Sequence, residues 1–133
     1  MSNQNVANNP RVIVIQKLYS YNLNKDVLIQ YPKHRYKKFI KDVVKGTIER
    51  EEFILEKLKV ILKNEFNPSR TDLILKLMIM SASFELIFVH KTPVKVIMSE
   101  YVKISDFFLE NAHKRYLNAI LDKVSKNVRL YKN

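Results

Sequence analysis

The sequence predicts an all-α protein, folded as a single compact bundle of about six or seven helices. Three observations predict this class. Apolar residues recur at spacings of three and four along most of the chain. One glycine occurs in 133 residues, which favours long helices joined by short turns. Two pairs, Asn9-Pro10 and Thr92-Pro93, each place a capping residue before a proline suited to the first position of a helix.

The first helix is expected to begin at Pro10. The run VIVIQKLYSYNL soon after it opens with β-branched residues, which a strand would also favour. Its apolar residues nevertheless share one helical face, so we predict a helix: Val12, Ile15, Leu18 and Tyr19. Residues 1–9 are polar, unlike a signal peptide, and are expected to form a disordered tail. Residues 10–133 are then expected to form one helical domain.

Two amphipathic segments follow Pro32. In the first, an apolar face lies opposite a basic face: Tyr36, Phe39, Ile40, Val43 and Val44 against Lys33, Arg35, Lys37, Lys38, Lys41 and Lys45. We expect Gly46 to loosen or end this helix. Glu51 and Glu52 suit the first turn of the next helix, whose apolar stripe comprises Ile54, Leu55, Leu58, Ile61 and Leu62.

The segment TDLILKLMIMSASFELIFVH is apolar on nearly every side, which predicts a helix in the middle of the bundle. Glu85 lies within it, and a buried carboxylate requires an ion pair or a hydrogen bond. A general acid or base is one reading of Glu85, and a structural ion pair or hydrogen bond is the favoured one. The last two helices are expected after Thr92-Pro93 and from Asn111. The outer side of the last helix is basic: Lys114, Lys123, Lys126 and Arg129.

The formal net charge of +11 favours acidic partners, of which RNA, DNA and anionic membranes are the usual ones. A lysine-rich surface without a dedicated partner also fits this charge. Cysteine is absent, which excludes disulfides and is compatible with a reducing cytoplasm. No apolar run reaches the roughly 18 residues of a membrane span. We therefore expect a cytoplasmic protein that has no membrane partner.

Groups that could perform chemistry are few. His34, His90 and His113 are far apart in the sequence, and no cysteine can complete a zinc site with them. A single glycine excludes a glycine-rich phosphate loop. We expect no enzyme activity, metal or cofactor. A small helical enzyme, as the alternative, would need a pocket that organises a carboxylate or a histidine.

Basic residues occur together with aromatic residues near both ends of the chain. Lysine and arginine neutralise phosphates, while aromatic faces and asparagine amides stack on or bond to unpaired bases. Tyr19 or Tyr116, taken alone, could equally be a half-buried core residue. Together the two clusters indicate single-stranded RNA: Arg11, Lys17, Tyr19 and Tyr21 near the N-terminus, and Lys114, Arg115, Tyr116 and Asn118 near the C-terminus.

Four stretches carry a further pattern. RVIVIQKLYSYN is similar to R-x-x-x-x-Q-x-L-Y, and RTDLILKLMIMSASFEL to R-x-D-x-I-L-[RK]-x-x-[IL] closing with an aromatic residue, Glu and Leu. TPVKVIMSEYVKIS is similar to P-x-x-V-x-I-N-E-[AY]-V-x-[IL], and RYLNAILDKV to F-V-N-[GA]-V-L-D-K. In this order and at this spacing, the motifs resemble the NusB family of bacterial transcription antitermination factors, across about residues 10 to 128.

The resemblance implies an all-helical, NusB-like fold that pairs with the ribosomal protein NusE. It also implies binding to the single-stranded boxA element of nascent RNA, and read-through by RNA polymerase in the elongation complex, chiefly in ribosomal RNA operons. The resemblance and the two basic clusters together give the expected RNA-binding residues: Arg11, Gln16, Lys17, Tyr19, Lys114, Arg115, Tyr116 and Asn118.

This chain departs from the family pattern before its first helix, where members often carry several arginines and it has Ala7, Asn8 and Asn9. Lys17, Lys114 and Arg115 are expected to compensate. We expect Arg11→Glu to weaken boxA binding without unfolding the chain. A helical protein-interaction module with incidental RNA contact remains the alternative, because related helical domains are fused to RNA methyltransferases and a fold does not fix a function.

Overall fold

A computed structural model of the chain describes residues 6–129. From Pro10 to Arg129 the described chain forms six α-helices: α1 (Pro10–Leu23), α2 (Lys37–Glu49), α3 (Glu51–Leu62), α4 (Leu73–Phe88), α5 (Val94–Phe108) and α6 (Asn111–Arg129). Two short 3₁₀ helices, Lys63–Glu65 and Pro68–Arg70, connect α3 to α4. No strand occurs among residues 6–129. The predicted all-α class is confirmed.

Helix α4 lies at the centre of the bundle and packs against each of the other five helices. Most of its residues are buried, which its nearly continuous apolar sequence requires. Ser81 and Ala82 are fully buried, and such small side chains permit neighbouring helices to approach closely. The buried stripes of the surrounding helices complete one continuous apolar core around α4.

The start of α1 is fixed by its N-cap. The Asn9 side chain accepts a hydrogen bond from the Arg11 backbone N–H at 2.9 Å, and Pro10 occupies the first helical position, as expected. The expectation of a disordered tail is wrong for residues 6–9: Val6 and Ala7 are helical, and Val6 packs against the core. An apolar contact stabilises this part of the tail, while residues 1–5 lie outside the described residues.

Gly46 neither loosens nor ends α2, contrary to the sequence-based expectation. The helix continues to Glu49, and Gly46 lies buried within it. A Cβ atom added at this position would come within 2.2 Å of the Phe84 ring on α4. Glycine is therefore needed because α2 and α4 approach each other closely at this point, and not because the chain turns there.

Every helix of the described chain is too short or too polar to cross a lipid bilayer. Most charged side chains of the bundle are exposed, whereas Arg11, Glu85 and Arg129 are buried. Helix α2 begins at Lys37, so Lys33, Arg35 and Tyr36 of the two predicted faces precede it, and Tyr36 is 49% exposed. Within the helix, the lysines of the basic face are solvent-exposed, whereas Ile40, Val43 and Val44 on the opposite face are buried.

Candidate nucleic-acid interface

Arg11, the first residue expected to face RNA, is buried. Only 8% of its surface is exposed. Its Nε and Nη2 atoms donate hydrogen bonds to Glu85 Oε2 and Oε1, at 2.9 and 2.6 Å. The guanidinium also lies over the Phe39 ring, 4.7 Å from the ring centre. The prediction that Arg11 lies on the surface is wrong, because Arg11 forms an ion pair with the fully buried carboxylate of Glu85 on α4.

The ion pair belongs to a longer buried chain of polar groups. Tyr101 on α5 donates its hydroxyl proton to Glu85 Oε2 at 2.6 Å, and the Ser81 hydroxyl lies 2.6 Å from the Tyr101 hydroxyl. Burial and the adjacent Glu85 carboxylate raise the pKa of Tyr101 well above its ordinary value. Burial lowers the pKa of Arg11, but its hydrogen bond to Glu85 and the nearby carboxylates raise it overall. The network joins α1, α4 and α5.

Arg129 was predicted on the basic outer side of the last helix, and this prediction is wrong because only 7% of its surface is exposed. Its Nε atom donates to the Leu86 carbonyl at 2.8 Å, and its Nη1 atom donates to the Thr92 carbonyl at 2.6 Å. Its Nη2 atom donates to the carbonyls of Glu85 and Val89 at 3.0 and 2.8 Å. Arg129 therefore caps the carboxyl end of α4, and it adds a second donor to the Glu85 and Val89 carbonyls, which also accept backbone hydrogen bonds.

The other residues predicted on α1 do reach the surface. Gln16 is exposed, Lys17 is half-buried, and Tyr19 is 37% exposed. Among residues 6–129, no side-chain hydrogen bond or ion pair engages any of these three side chains. The outward face of α1 therefore offers an amide, an ammonium group and an aromatic ring within one turn of helix.

The second predicted cluster lies in the first two turns of α6. Arg115 and Asn118 are exposed, and no hydrogen bond or ion pair within the described residues engages their side chains. Lys114 forms an ion pair with Asp106 at 2.8 Å. Tyr116 packs against the core and donates its hydroxyl proton to the Glu65 carbonyl. Arg115 and Asn118 are thus the more available members of the cluster.

The structure separates Arg11 from the cluster on α6. Arg11 contacts Glu85, and Glu85 also accepts a bond from Arg129 at the end of α6. Tyr116, near the start of α6, contacts Glu65, which precedes α4. Because α6 rises about 20 Å between Tyr116 and Arg129, Arg11 and the Tyr116 cluster lie at opposite ends of α4.

The exposed groups at these positions can bind a polyanion and unpaired bases. Within residues 6–129, no group of three or more His, Cys, Asp or Glu side chains is arranged to hold a metal ion. The buried carboxylate of Glu85 contacts Arg11 and Tyr101, as the structural reading of Glu85 anticipated. Because Arg11 and Tyr101 already engage Glu85, the candidate site consists of the exposed basic and aromatic residues on α1 and α6.

The family model for the NusB family matches residues 8–126 of the chain. The chain belongs to the NusB family. The match includes both halves of the candidate interface, on α1 and α6. It also includes the buried network of Arg11, Glu85 and Tyr101. The sequence-based resemblance to the NusB family is therefore confirmed.

Curated NusB proteins and a solved NusB structure agree with this assignment. The chain is 33% identical over 114 residues to the transcription antitermination protein NusB of Bartonella henselae, covering 85% of this chain and 72% of that protein. It is 25% identical to the transcription antitermination protein NusB of Allorhizobium ampelinum, covering 90% and 86%. NusB of T. maritima has the same fold, with a TM-score of 0.75, 19% identity and 88% of each chain covered.

Proposed function

We propose that this protein is a transcription antitermination factor that binds single-stranded boxA RNA together with the ribosomal protein NusE. In this proposal it acts in the cytoplasm, within the elongation complex of RNA polymerase, and promotes read-through of ribosomal RNA operons. The observation that carries the proposal is the NusB family match over residues 8–126. The relatives named as transcription antitermination proteins support it.

The proposed RNA contacts are the exposed groups of the two clusters. Lys17, Lys114 and Arg115 supply positive charge for phosphates, and the formal net charge of +11 adds a general attraction. Tyr19 and part of the Tyr116 ring are proposed to stack on unpaired bases. The amide groups of Gln16 and Asn118 are further proposed contacts, because they can hydrogen-bond to base edges.

Arg11 takes a positioning role in this proposal and does not contact RNA. Its ion pair with Glu85 holds α1 against α4 and α5, and the same helix carries Gln16, Lys17 and Tyr19. The earlier expectation for Arg11→Glu changes accordingly. The substitution would place two carboxylates in one buried site, so we expect the chain to lose stability before RNA binding can be tested.

RNA binding to the purified protein tests the proposal directly. We expect a boxA-like RNA to bind more tightly than a scrambled strand, and NusE to strengthen that preference. If about four phosphates are neutralised, the logarithm of affinity should fall against the logarithm of salt concentration with a slope near −3. Equal binding of both strands, with and without NusE, would contradict the proposal. Capture of NusE without any boxA preference would instead favour a protein-interaction module.

A matched pair of variants tests the α6 cluster. Arg115→Glu is expected to weaken boxA binding roughly tenfold and to make the salt slope shallower by about one. Lys95→Glu, the control, makes the same change in charge at an exposed lysine in the first turn of α5, outside both clusters. It should leave affinity nearly unchanged. Equal losses of boxA affinity in the two variants would show that net charge alone, and not the position of Arg115, determines binding.

A further inference from the structure

A groove runs between α2 and the segment that joins α1 to α2. Two adjacent hollows, of about 530 and 270 Å³, form this groove. Both are lined by Tyr21 and by residues 27–29. Lys41 and Lys45 of α2 border the larger hollow, and Lys17 borders the smaller one. The groove is therefore continuous with the outward face of α1.

The charge of the groove is strongly positive. Lys17, Lys25, Lys41 and Lys45 line it, together with Asp26 as an acidic residue. Within the described residues, no ion pair engages these four lysines. Asp42, which neighbours Lys41, is paired with Lys38 at 2.8 Å. The lysines therefore present a net positive charge to anything that enters the groove.

The spacing of the lysines on α2 suits a linear polyanion. Lys37, Lys41 and Lys45 are exposed and follow one another at one per helical turn, which places them about 6 Å apart along the axis. Arg35 and the 49% exposed Tyr36 extend the row at the start of the helix. A row of positive charges can follow successive phosphates along one strand.

The groove also offers surfaces for bases. Tyr21 and Tyr31 line it, and Lys25 lies 5.8 Å from the centre of the Tyr21 ring. Leu28 is 82% exposed, so an apolar side chain stands open at the rim. Tyrosine rings and aliphatic side chains beside lysines provide stacking surfaces next to phosphate contacts. This combination favours a single strand over a duplex, whose bases are already stacked.

We propose that this groove is a second single-stranded RNA site, which binds the RNA that flanks the element held by the α1 and α6 clusters. The inference rests on the proposed RNA-binding function and extends the RNA path from Lys17 along the outer face of α2. The sequence places the α2 lysines on a basic face but does not predict a groove beside them. The approach of residues 25–31 to α2, which forms the groove, depends on the tertiary fold.

Two RNAs test the groove separately from the first site. One is a short boxA-like RNA, and the other carries the same element with oligouridine extensions of about ten nucleotides on both sides. We expect the wild-type protein to bind the extended RNA roughly tenfold more tightly. The double variant Lys41→Gln/Lys45→Gln is expected to lose this advantage while binding the short RNA as the wild type does.

The matched control is Lys57→Gln/Lys91→Gln, which removes the same charge from two exposed lysines outside the groove. It should retain the advantage of the extended RNA. Retention of that advantage by Lys41→Gln/Lys45→Gln overturns the groove proposal and leaves the groove to another kind of partner. Equal wild-type affinity for both RNAs overturns the groove but not boxA binding, whereas failure of both RNAs to bind contradicts both proposals. Circular dichroism checks that each variant is folded.

Discussion

The guanidinium of Arg11 and the carboxylate of Glu85 form a two-bond ion pair between α1 and α4, with N–O distances of 2.6 and 2.9 Å. Both groups are buried, so each charge depends on the other for compensation. The ion pair holds α1 in a defined position on the central helix, and this position determines which residues of α1 face outward.

Removing the positive partner should therefore be costly. We expect Arg11→Met to lower the free energy of unfolding by about 3–5 kcal/mol, because Glu85 is left as an uncompensated buried charge. Urea denaturation measures the effect, and Lys17→Met on the same helix serves as the control. The double variant Arg11→Met/Glu85→Leu should regain much of the loss. A loss for Arg11→Met no larger than that for Lys17→Met would contradict the assigned role.

The contact between Gly46 and Phe84 predicts a change of unusual sign. Replacing glycine by alanine inside a helix ordinarily stabilises it by about 1 kcal/mol. At Gly46 the new methyl group would overlap the Phe84 ring, so we expect Gly46→Ala to destabilise the protein by about 1–3 kcal/mol. Thermal unfolding followed by circular dichroism measures the sign.

The double variant isolates the steric cause. In the Phe84→Leu background the space beside Gly46 is larger, so Gly46→Ala should cost less there than in the wild type. Equal costs in the two backgrounds, or a stabilising effect of Gly46→Ala in the wild type, would show that the ring does not set the requirement for glycine.

The hydroxyl of Ser83 is buried and lacks a hydrogen-bond partner within the described residues. Ser83→Ala removes this unsatisfied group, so we expect stability to rise by about 1 kcal/mol. Ser81→Ala, on the same helix, provides the contrast because Ser81 bonds to Tyr101. Ser81→Ala should lower stability, and chemical denaturation of both variants would show the opposite signs. A loss of stability in Ser83→Ala would point to a partner for its hydroxyl.

The raised pKa of Tyr101 predicts a loss of stability at alkaline pH. Burial is the main cause, and the Glu85 charge adds to it. Because the folded protein holds this proton more tightly than the unfolded chain does, stability should fall as pH rises above about 10. Below that pH both states keep the proton, and the contribution is constant.

A tyrosine-to-phenylalanine comparison separates Tyr101 from the lysines that titrate in the same range. Unfolding free energies of the wild type and Tyr101→Phe, measured at several values between about pH 8 and 11, should converge at the alkaline end. Tyr116→Phe is the control: its pKa is also raised, by burial and Glu65, but its ring is only half-buried. A constant difference between Tyr101→Phe and the wild type would contradict the prediction.

Spacing of apolar residues was enough to predict the helices, because burial of a helix face depends on local periodicity. Ile54, Leu58 and Leu62 are buried on α3, and α4 is central, as expected. The family motifs added the fold and the family itself, both of which the comparisons with known proteins confirm.

The environments of Arg11 and Gly46 could not be predicted, because each depends on a residue far along the chain. Glu85 lies 74 positions from Arg11, so the sequence indicated that Glu85 needed a partner but not which residue supplies it. Gly46 resembled a helix end because local propensity says nothing about the Phe84 ring. The groove between α2 and residues 25–31 escaped prediction for the same reason.

The bonds of Arg129 have a consequence for how the protein is made. Its acceptors precede it by 37 to 44 positions, and they close the far end of the central helix. During translation these carbonyls lack the Arg129 donor until the last turn of α6 has emerged from the ribosome. We expect a chain that is cut short before Arg129 to leave these carbonyls without their side-chain donor, which would make the shortened product less stable and a target for chaperones and proteases.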